Sequence, residues 1–323
     1  MTLRNSSTGP VCEGRANMLP RYPEMPMTLR ARTDPAWLEA QYNNRLRVPD
    51  HAQHFARWAE ASSLVRSKSA ARLDLAYGNG PGETLDIFPA ASPTNAAMVG
   101  APVLVFIHGG YWRSLDKADF SFIAPALNAA GATVVLVNYA LCPAVGIEHI
   151  ALQMTRALAW VWRHAAEHNG DPTRIGLVGH SAGAHLATML LSCRWKEVDA
   201  EMPAQPINAA LAISGLYDLE PLRHVASLQA DLQLTPATVR RLSPAFFPRP
   251  RAGSAGGKLF ATVGIDESDE FLRQNALIRD VWGPTAVPVC ETLPRLNHFS
   301  VVEGLADARS RLHHLALRTV GLR

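Results

Sequence analysis

The chain has 323 residues, a formal net charge of +3, 48% hydrophobic residues and four widely spaced cysteines, Cys12, Cys142, Cys193 and Cys290. That length and apolar content suit one large α/β domain, and the scattered charge lacks the clustered Lys and Arg of a nucleic-acid footprint. Without a C-x-x-C pair the cysteines suggest neither a zinc knuckle nor a disulfide framework, which fits a reducing cytoplasm, and neither a secretory h-region nor a membrane-length apolar run is legible.

Residues 1–30, rich in Arg, Pro, Ser and Met, lack hydrophobic periodicity and read as a disordered extension. Met1-Thr2-Leu3-Arg4 recurs as Met27-Thr28-Leu29-Arg30, so a start at Met27 is an alternative. A single domain is expected over 31–323. Its first part, 31–70, reads as helical, anchored by Trp37, Leu38, Tyr42, Phe55 and Trp58, with no legible function. Ala71 to Phe88 reads as an antiparallel pair on a sheet edge, turned at Tyr77-Gly78-Asn79-Gly80-Pro81-Gly82.

From Pro102 onward, apolar runs alternate with helical patterns, as in stacked βαβ units around a mainly parallel sheet. Strands are predicted over Val103 to Ile107, Thr133 to Asn138, Ile175 to Val178, Ala209 to Ser214, Lys258 to Val263 and Val287 to Thr292. Ile147 to His168 reads as a long helix stopped by Asn169-Gly170-Asp171-Pro172, and Ala182 to Ser192 as another. Glu201 to Pro206 and Leu234 to Gly257 are rich in Pro, Gly and Arg, and a lid insertion is expected within 219–257.

In an open parallel sheet, catalytic loops leave the carboxyl ends of strands. The first such loop here is His108-Gly109-Gly110-Tyr111-Trp112, whose glycines free backbone N–H groups to face a developing oxyanion, each donor being worth roughly 3 to 4 kcal/mol. The second, Gly179-His180-Ser181-Ala182-Gly183, is a G-x-S-x-G nucleophile elbow, with the Ala182 amide as a further donor at a helix N-terminus. A serine needs a histidine base and an orienting carboxylate, in the order serine, acid, histidine. The acidic loop Gly264-Ile265-Asp266-Glu267-Ser268-Asp269-Glu270-Phe271 and then Asn297-His298-Phe299-Ser300 follow in that order. His164-Ala165-Ala166-Glu167-His168 matches the H-x-x-E-H zinc pattern. Its helix must run back to start the next parallel strand, which puts this turn at the sheet's opposite edge, where the histidines suit the helix dipole. His313 and His314 read as structural.

These motifs together resemble the arylformamidase (kynurenine formamidase) group of α/β-hydrolases, from Leu38-Glu39-Ala40-Gln41-Tyr42-Asn43 to the last helix. The H-G-G-x-W form of the first loop, Gly179 to Leu186, Ser214-Gly215-Leu216-Tyr217-Asp218-Leu219 and Asn297-His298-Phe299 carry the likeness. It implies a triad of Ser181, His298 and an acid, with the amides of Gly110 and Tyr111 as oxyanion donors beside that of Ala182. Aligning Phe271 with the family's D-S-P-E-F stretch places Glu267 at the acid position, where aspartate is usual, and Asp266 is the alternative.

The implied activity is hydrolysis of a small ester or aryl-formamide bond, with N-formylkynurenine the leading substrate and a broad carboxylesterase the alternative. A ligand-binding protein on a hydrolase scaffold is the alternative of another class. Trp112 and Phe299 are expected to line an apolar slot for the leaving group, whereas Tyr217 reads as packing. Arg113 could meet a substrate carboxylate, but Asp116 is the simpler partner. No metal or organic cofactor is implied, and the expected partner is a small-molecule substrate rather than nucleic acid or membrane, with a homodimer left open.

Overall fold

The computed structural model describes residues 34–90, 100–248 and 257–322, so the expected extension over 1–30 lies outside the described residues, as do 249–256 of the lid candidate. Its eight strands are β1 (Arg72–Ala76), β2 (Thr84–Phe88), β3 (Ala101–Ile107), β4 (Thr133–Val137), β5 (Gly170–His180), β6 (Ile207–Ile213), β7 (Lys258–Gly264) and β8 (Val289–Leu293). They form one sheet in the order β1-β2-β4-β3-β5-β6-β7-β8. The β1–β2 and β2–β4 pairings are antiparallel and all others parallel, the α/β-hydrolase arrangement.

The near-continuous apolar runs are explained by burial on both faces. Val103, Val105 and Ile107 of β3 pack into one core with the long helices Ile147–His164, Ala182–Leu191 and Asp269–Ala286, while Leu104 and Phe106 point the other way, toward Phe120, Leu127 and the terminal helix Arg311–Thr319.

Two element ends differ from expectation. The helix predicted to His168 is α-helical only to His164 and tightens into a 3-10 turn over Ala165–His168, ending at Asn169 in the left-handed conformation with φ +59°. β5 begins earlier than predicted, because Gly170 and Asp171 pair with Ala101 and Pro102 before the register shifts. Pro172 has no N–H to give to a ladder, so the pairing slips there.

The N-terminal helix Pro35–Tyr42 packs on the helix Asp269–Ala286, and His51–Lys68 packs on the 3-10 helix Lys117–Ile123. Tyr42 donates its hydroxyl to Glu270 Oε2 at 2.7 Å and accepts from Gln274 Nε2 at 3.0 Å, while Gln274 Oε1 receives the amides of Tyr217 and Asp218. At its far end the second helix is pinned to β2 by an ion pair between Arg66 and the fully buried Asp86.

Candidate active site

Every expected catalytic loop leaves the same edge of the sheet, and the elbow is the tightest of them. Ser181 takes φ +55° and ψ −118° between β5 and the helix Ala182–Leu191, backbone that a side-chain-bearing residue adopts only under constraint. That constraint comes from its neighbours. The Ser181 amide donates to the Ile213 carbonyl of β6 at 2.8 Å. A Cβ on Gly179 would lie 2.3 Å from the Gly183 carbonyl oxygen, and one on Gly183 would lie 2.0 Å from that of Ile107. Both glycines are therefore required by close backbone approach.

From this elbow a hydrogen-bonded chain runs through three side chains. Ser181 Oγ is 3.1 Å from His298 Nε2, and His298 Nδ1 is 2.6 Å from Glu267 Oε2. The other carboxylate oxygen of Glu267 accepts the Gly264 amide at 2.8 Å and the Ser214 hydroxyl at 2.5 Å. Both oxygens of this buried carboxylate are thereby engaged. Asp266, the alternative acid, is exposed, and its amide is tied to Leu296. A one-residue step on a turn separates the two carboxylates, and only Glu267 points inward.

The His298 loop is built around Asn297, whose side chain accepts the amides of Phe299 and Ser300, both at 2.9 Å. Phe271 packs against the imidazole with ring centroids 4.6 Å apart. His180, within the elbow itself, directs a ring nitrogen at the His298 carbonyl at 2.9 Å. Burial first, and the neighbouring His298 second, hold its pKa well below that of a free imidazole. His180 is consequently neutral and donates Nε2–H, clamping the loop that carries His298.

The loop after β3 is fixed from behind. The His108 ring stacks on Tyr139 with centroids 4.2 Å apart, and the Tyr139 hydroxyl donates to the His108 carbonyl at 2.9 Å. Gly110 adopts φ +106°, and a Cβ there would strike the Ser114 carbonyl oxygen at 2.1 Å. Tyr111 follows at φ +50° and donates its hydroxyl to the Tyr42 carbonyl at 2.7 Å. Among the described residues, the amides of Gly110, Tyr111 and Ala182 donate to no protein acceptor. Gly110 and Tyr111 line the pocket above Ser181, and Ala182 opens the helix that starts there.

That pocket has a volume of about 60 Å³. Phe299 lines it as expected, but Trp112 does not. Trp112 is fully buried with its ring edge-on to His185, centroids 5.0 Å apart; a φ of +56° turns it down into the core while Tyr111 stays above. Tyr217 is also fully buried. Arg113 reaches the pocket, but its partners are the Ser227 carbonyl at 2.6 Å and the Asp231 carboxylate, in place of Asp116. Asp116 is occupied as the cap of the 3-10 helix Lys117–Ile123.

Tyr42, Asn43, Asn44, Arg45, Phe55 and Trp58 form a wall of this pocket that sequence reasoning missed. Tyr42, Phe55 and Trp58 read as apolar anchors of a helical segment, and nothing local says that the surface they pack on is the mouth of the site. His164 and His168 lie far from it: both rings pack on Trp160, and His168 sits by Val103 and Thr133, at the amino ends of β3 and β4.

Comparison with known proteins agrees with this architecture. Residues 85–238 match the BD-FAE family model. The chain is 28% identical to a solved structure from Silicibacter sp. TM1040, with a TM-score of 0.72 over 88% of this chain and 98% of that one. Esterase B from Lactobacillus Rhamnosis shares the fold at 17% identity, with a TM-score of 0.62 over 86% of this chain and 95% of that one. Drosophila melanogaster kynurenine formamidase is 27% identical over 79% of this chain and 84% of its own length. With 30% identity to Danio rerio kynurenine formamidase over 83% of this chain and 88% of that protein, the chain belongs to the kynurenine formamidase family of α/β-hydrolases.

Proposed function

We propose that this hydrolase of formamide or ester bonds works through Ser181, His298 and Glu267, and that its preferred substrate is an aryl formamide of the N-formylkynurenine type. The observation that carries the reading is the unbroken chain from Ser181 Oγ through His298 to Glu267 at the floor of a pocket.

Glu267 accepts Nδ1–H of His298, which leaves Nε2 as the base toward Ser181. As Ser181 attacks the acyl carbon, His298 takes its proton, and the amides of Gly110, Tyr111 and Ala182 receive the oxyanion. His298 then protonates the departing aromatic amine. Water, activated by the same imidazole, releases the acyl group from Ser181 as the free acid. A cavity of about 60 Å³ suits a small acyl group beside the nucleophile. Phe55, Trp58 and Phe299 supply aromatic surface for the leaving group, with Phe55 and Phe299 edge to face at 5.1 Å. The described part of the lid candidate, 219–248, would act as the cap, since its Ser227 and Leu228 line the same pocket. The free thiols Cys142, Cys193 and Cys290 suit a cytoplasmic location.

The test is kcat/KM for N-formylkynurenine against a short-chain aryl ester, with Ser181→Ala as control. The formamide should be preferred, and Ser181→Ala should abolish both activities and labelling by a fluorophosphonate. Preference for the ester would make the protein a carboxylesterase of this family, and activity surviving Ser181→Ala would remove the serine mechanism altogether.

A further inference from the structure

Residues 34–48 supply no side chain of the proposed triad, yet they hold the oxyanion loop in place. Gly110, Tyr111 and Trp112 adopt φ of +106°, +50° and +56° in succession. Two of the three bear side chains, and such backbone persists only where surrounding contacts enforce it. Trp112 is enforced from the core: its carbonyl accepts the Cys142 amide at 2.8 Å, and its ring is buried against His185. Tyr111 is enforced from the N-terminal segment. Its hydroxyl donates to the Tyr42 carbonyl at 2.7 Å and receives the side-chain amide of the buried Asn44.

Tyr42 ends the helix Pro35–Tyr42 and is fully buried. While its carbonyl holds Tyr111, its side chain is tied to the residues that follow the acid loop. The Tyr42 hydroxyl donates to Glu270 Oε2 at 2.7 Å, and Arg273 grips that carboxylate through two contacts of 2.9 Å. The Glu270 amide in turn donates to Gln41 Oε1 at 3.3 Å. Glu270 stands in the first turn of the helix Asp269–Ala286, just beyond Glu267. Phe271, the next residue, packs on the Tyr42 ring at 5.8 Å and on the His298 ring at 4.6 Å.

We propose that Tyr42 is a positioning residue: a strut that ties the oxyanion loop to the helix following the acid, and so fixes where the Tyr111 amide points above Ser181. This rests on the reading of Ser181 as nucleophile and of Gly110, Tyr111 and Ala182 as oxyanion donors. A donor displaced by a fraction of an ångström loses contact with the developing oxyanion but little with the bound substrate. Cutting the strut therefore lowers kcat and leaves KM.

Tyr111→Phe removes the hydroxyl and keeps the ring and the amide, whereas Tyr42→Phe cuts the tie to Glu270 and keeps the carbonyl. Both variants and their double are assayed on 4-nitrophenyl acetate and for inhibition by phenylboronic acid, which forms a tetrahedral adduct on the nucleophilic serine; urea melts confirm folding. Tyr111→Phe lowers kcat about tenfold, less than the roughly 10²- to 10³-fold of deleting an oxyanion donor, with KM within about twofold. Phenylboronic acid binding weakens by about the same factor, as for any mimic of the tetrahedral state. Tyr42→Phe lowers kcat about threefold, and the double variant is no worse than Tyr111→Phe alone because both changes break one path. An unaltered kcat in Tyr111→Phe, a lower kcat with unaltered phenylboronic acid binding, or losses that multiply in the double variant overturns the strut. Where Tyr111→Phe does not fold, an unaltered kcat in Tyr42→Phe overturns it. Ser181→Ala keeps the two readings apart: activity that survives it removes the serine mechanism and the strut with it, whereas a serine-dependent enzyme indifferent to Tyr111→Phe loses the strut alone.

Discussion

Replacing Glu267 by glutamine separates the carboxylate's charge from its shape. The glutamine carbonyl oxygen can still accept the Gly264 amide and the Ser214 hydroxyl, now at 2.8 and 2.5 Å from the carboxylate. These two donors fix which way the amide faces, because the reversed orientation would set its NH2 group against the Gly264 N–H. The NH2 group therefore meets His298 Nδ1, now 2.6 Å from Oε2. It can only donate, so Nδ1 loses its proton and Nε2 gains one. The Nε2 that should accept from Ser181 at 3.1 Å becomes a donor. A wrong-tautomer triad of this kind loses about 10⁴-fold in kcat, or roughly 5 kcal/mol of transition-state stabilisation. Steady-state kinetics on an aryl ester and the rate of fluorophosphonate labelling should both fall to this extent, with the urea midpoint nearly unchanged because volume and hydrogen bonds are kept. Asp266→Asn, on an exposed side chain, should change kcat less than about twofold. A Glu267→Gln enzyme within tenfold of the parent would refute the tautomer argument, and a collapse at Asp266→Asn would move the acid to that residue.

Other consequences are equally direct. In Gly183→Ala the new methyl would sit 2.0 Å from the Ile107 carbonyl oxygen and 2.6 Å from that of His108; forcing the helix off the oxyanion loop should cost about 3 kcal/mol of stability and most of the activity, measured by denaturant melts and kcat. Stability should also fall in acid. Burial pushes the His185 imidazole from 6.5 down to about 4, and Nε2 already binds the Leu242 carbonyl. The unfolded chain binds this proton first, so the contribution is complete above pH 6.5 and is lost as pH falls toward 4, by about 3 kcal/mol. Unfolding free energies measured across that window should show the slope, and His185→Gln should flatten it; an equal slope in both proteins would assign it to other groups.

The strands, the long helices and the order of the catalytic motifs were legible because each is written in local chemistry. Apolar runs such as those of β3, β4 and β6 announce strands buried on both faces. Asn169 ends its helix by taking the left-handed conformation, and Gly179 and Gly183 stand where two backbones must nearly touch. What local pattern could not supply was the direction of individual side chains on irregular backbone. Trp112 and Tyr111 are adjacent and both have positive φ, yet one is core and the other lines the pocket. Likewise Asp266 and Glu267 differ by one step on a turn, and the donors that single out Glu267 are Gly264 at the end of β7 and Ser214 just beyond β6.

The sequence by itself determined the sheet, the elbow and the order of the serine, acidic and histidine loops, since periodicity, turn chemistry and motif order are properties of neighbours along the chain. Only the tertiary structure decided which carboxylate meets His298, and that residues 42–58, silent as sequence, form a wall of the pocket. Those contacts join separate segments, 31 residues apart for Glu267 with His298 and 228 for Tyr42 with Glu270, and packing of this kind leaves no periodic trace in either segment.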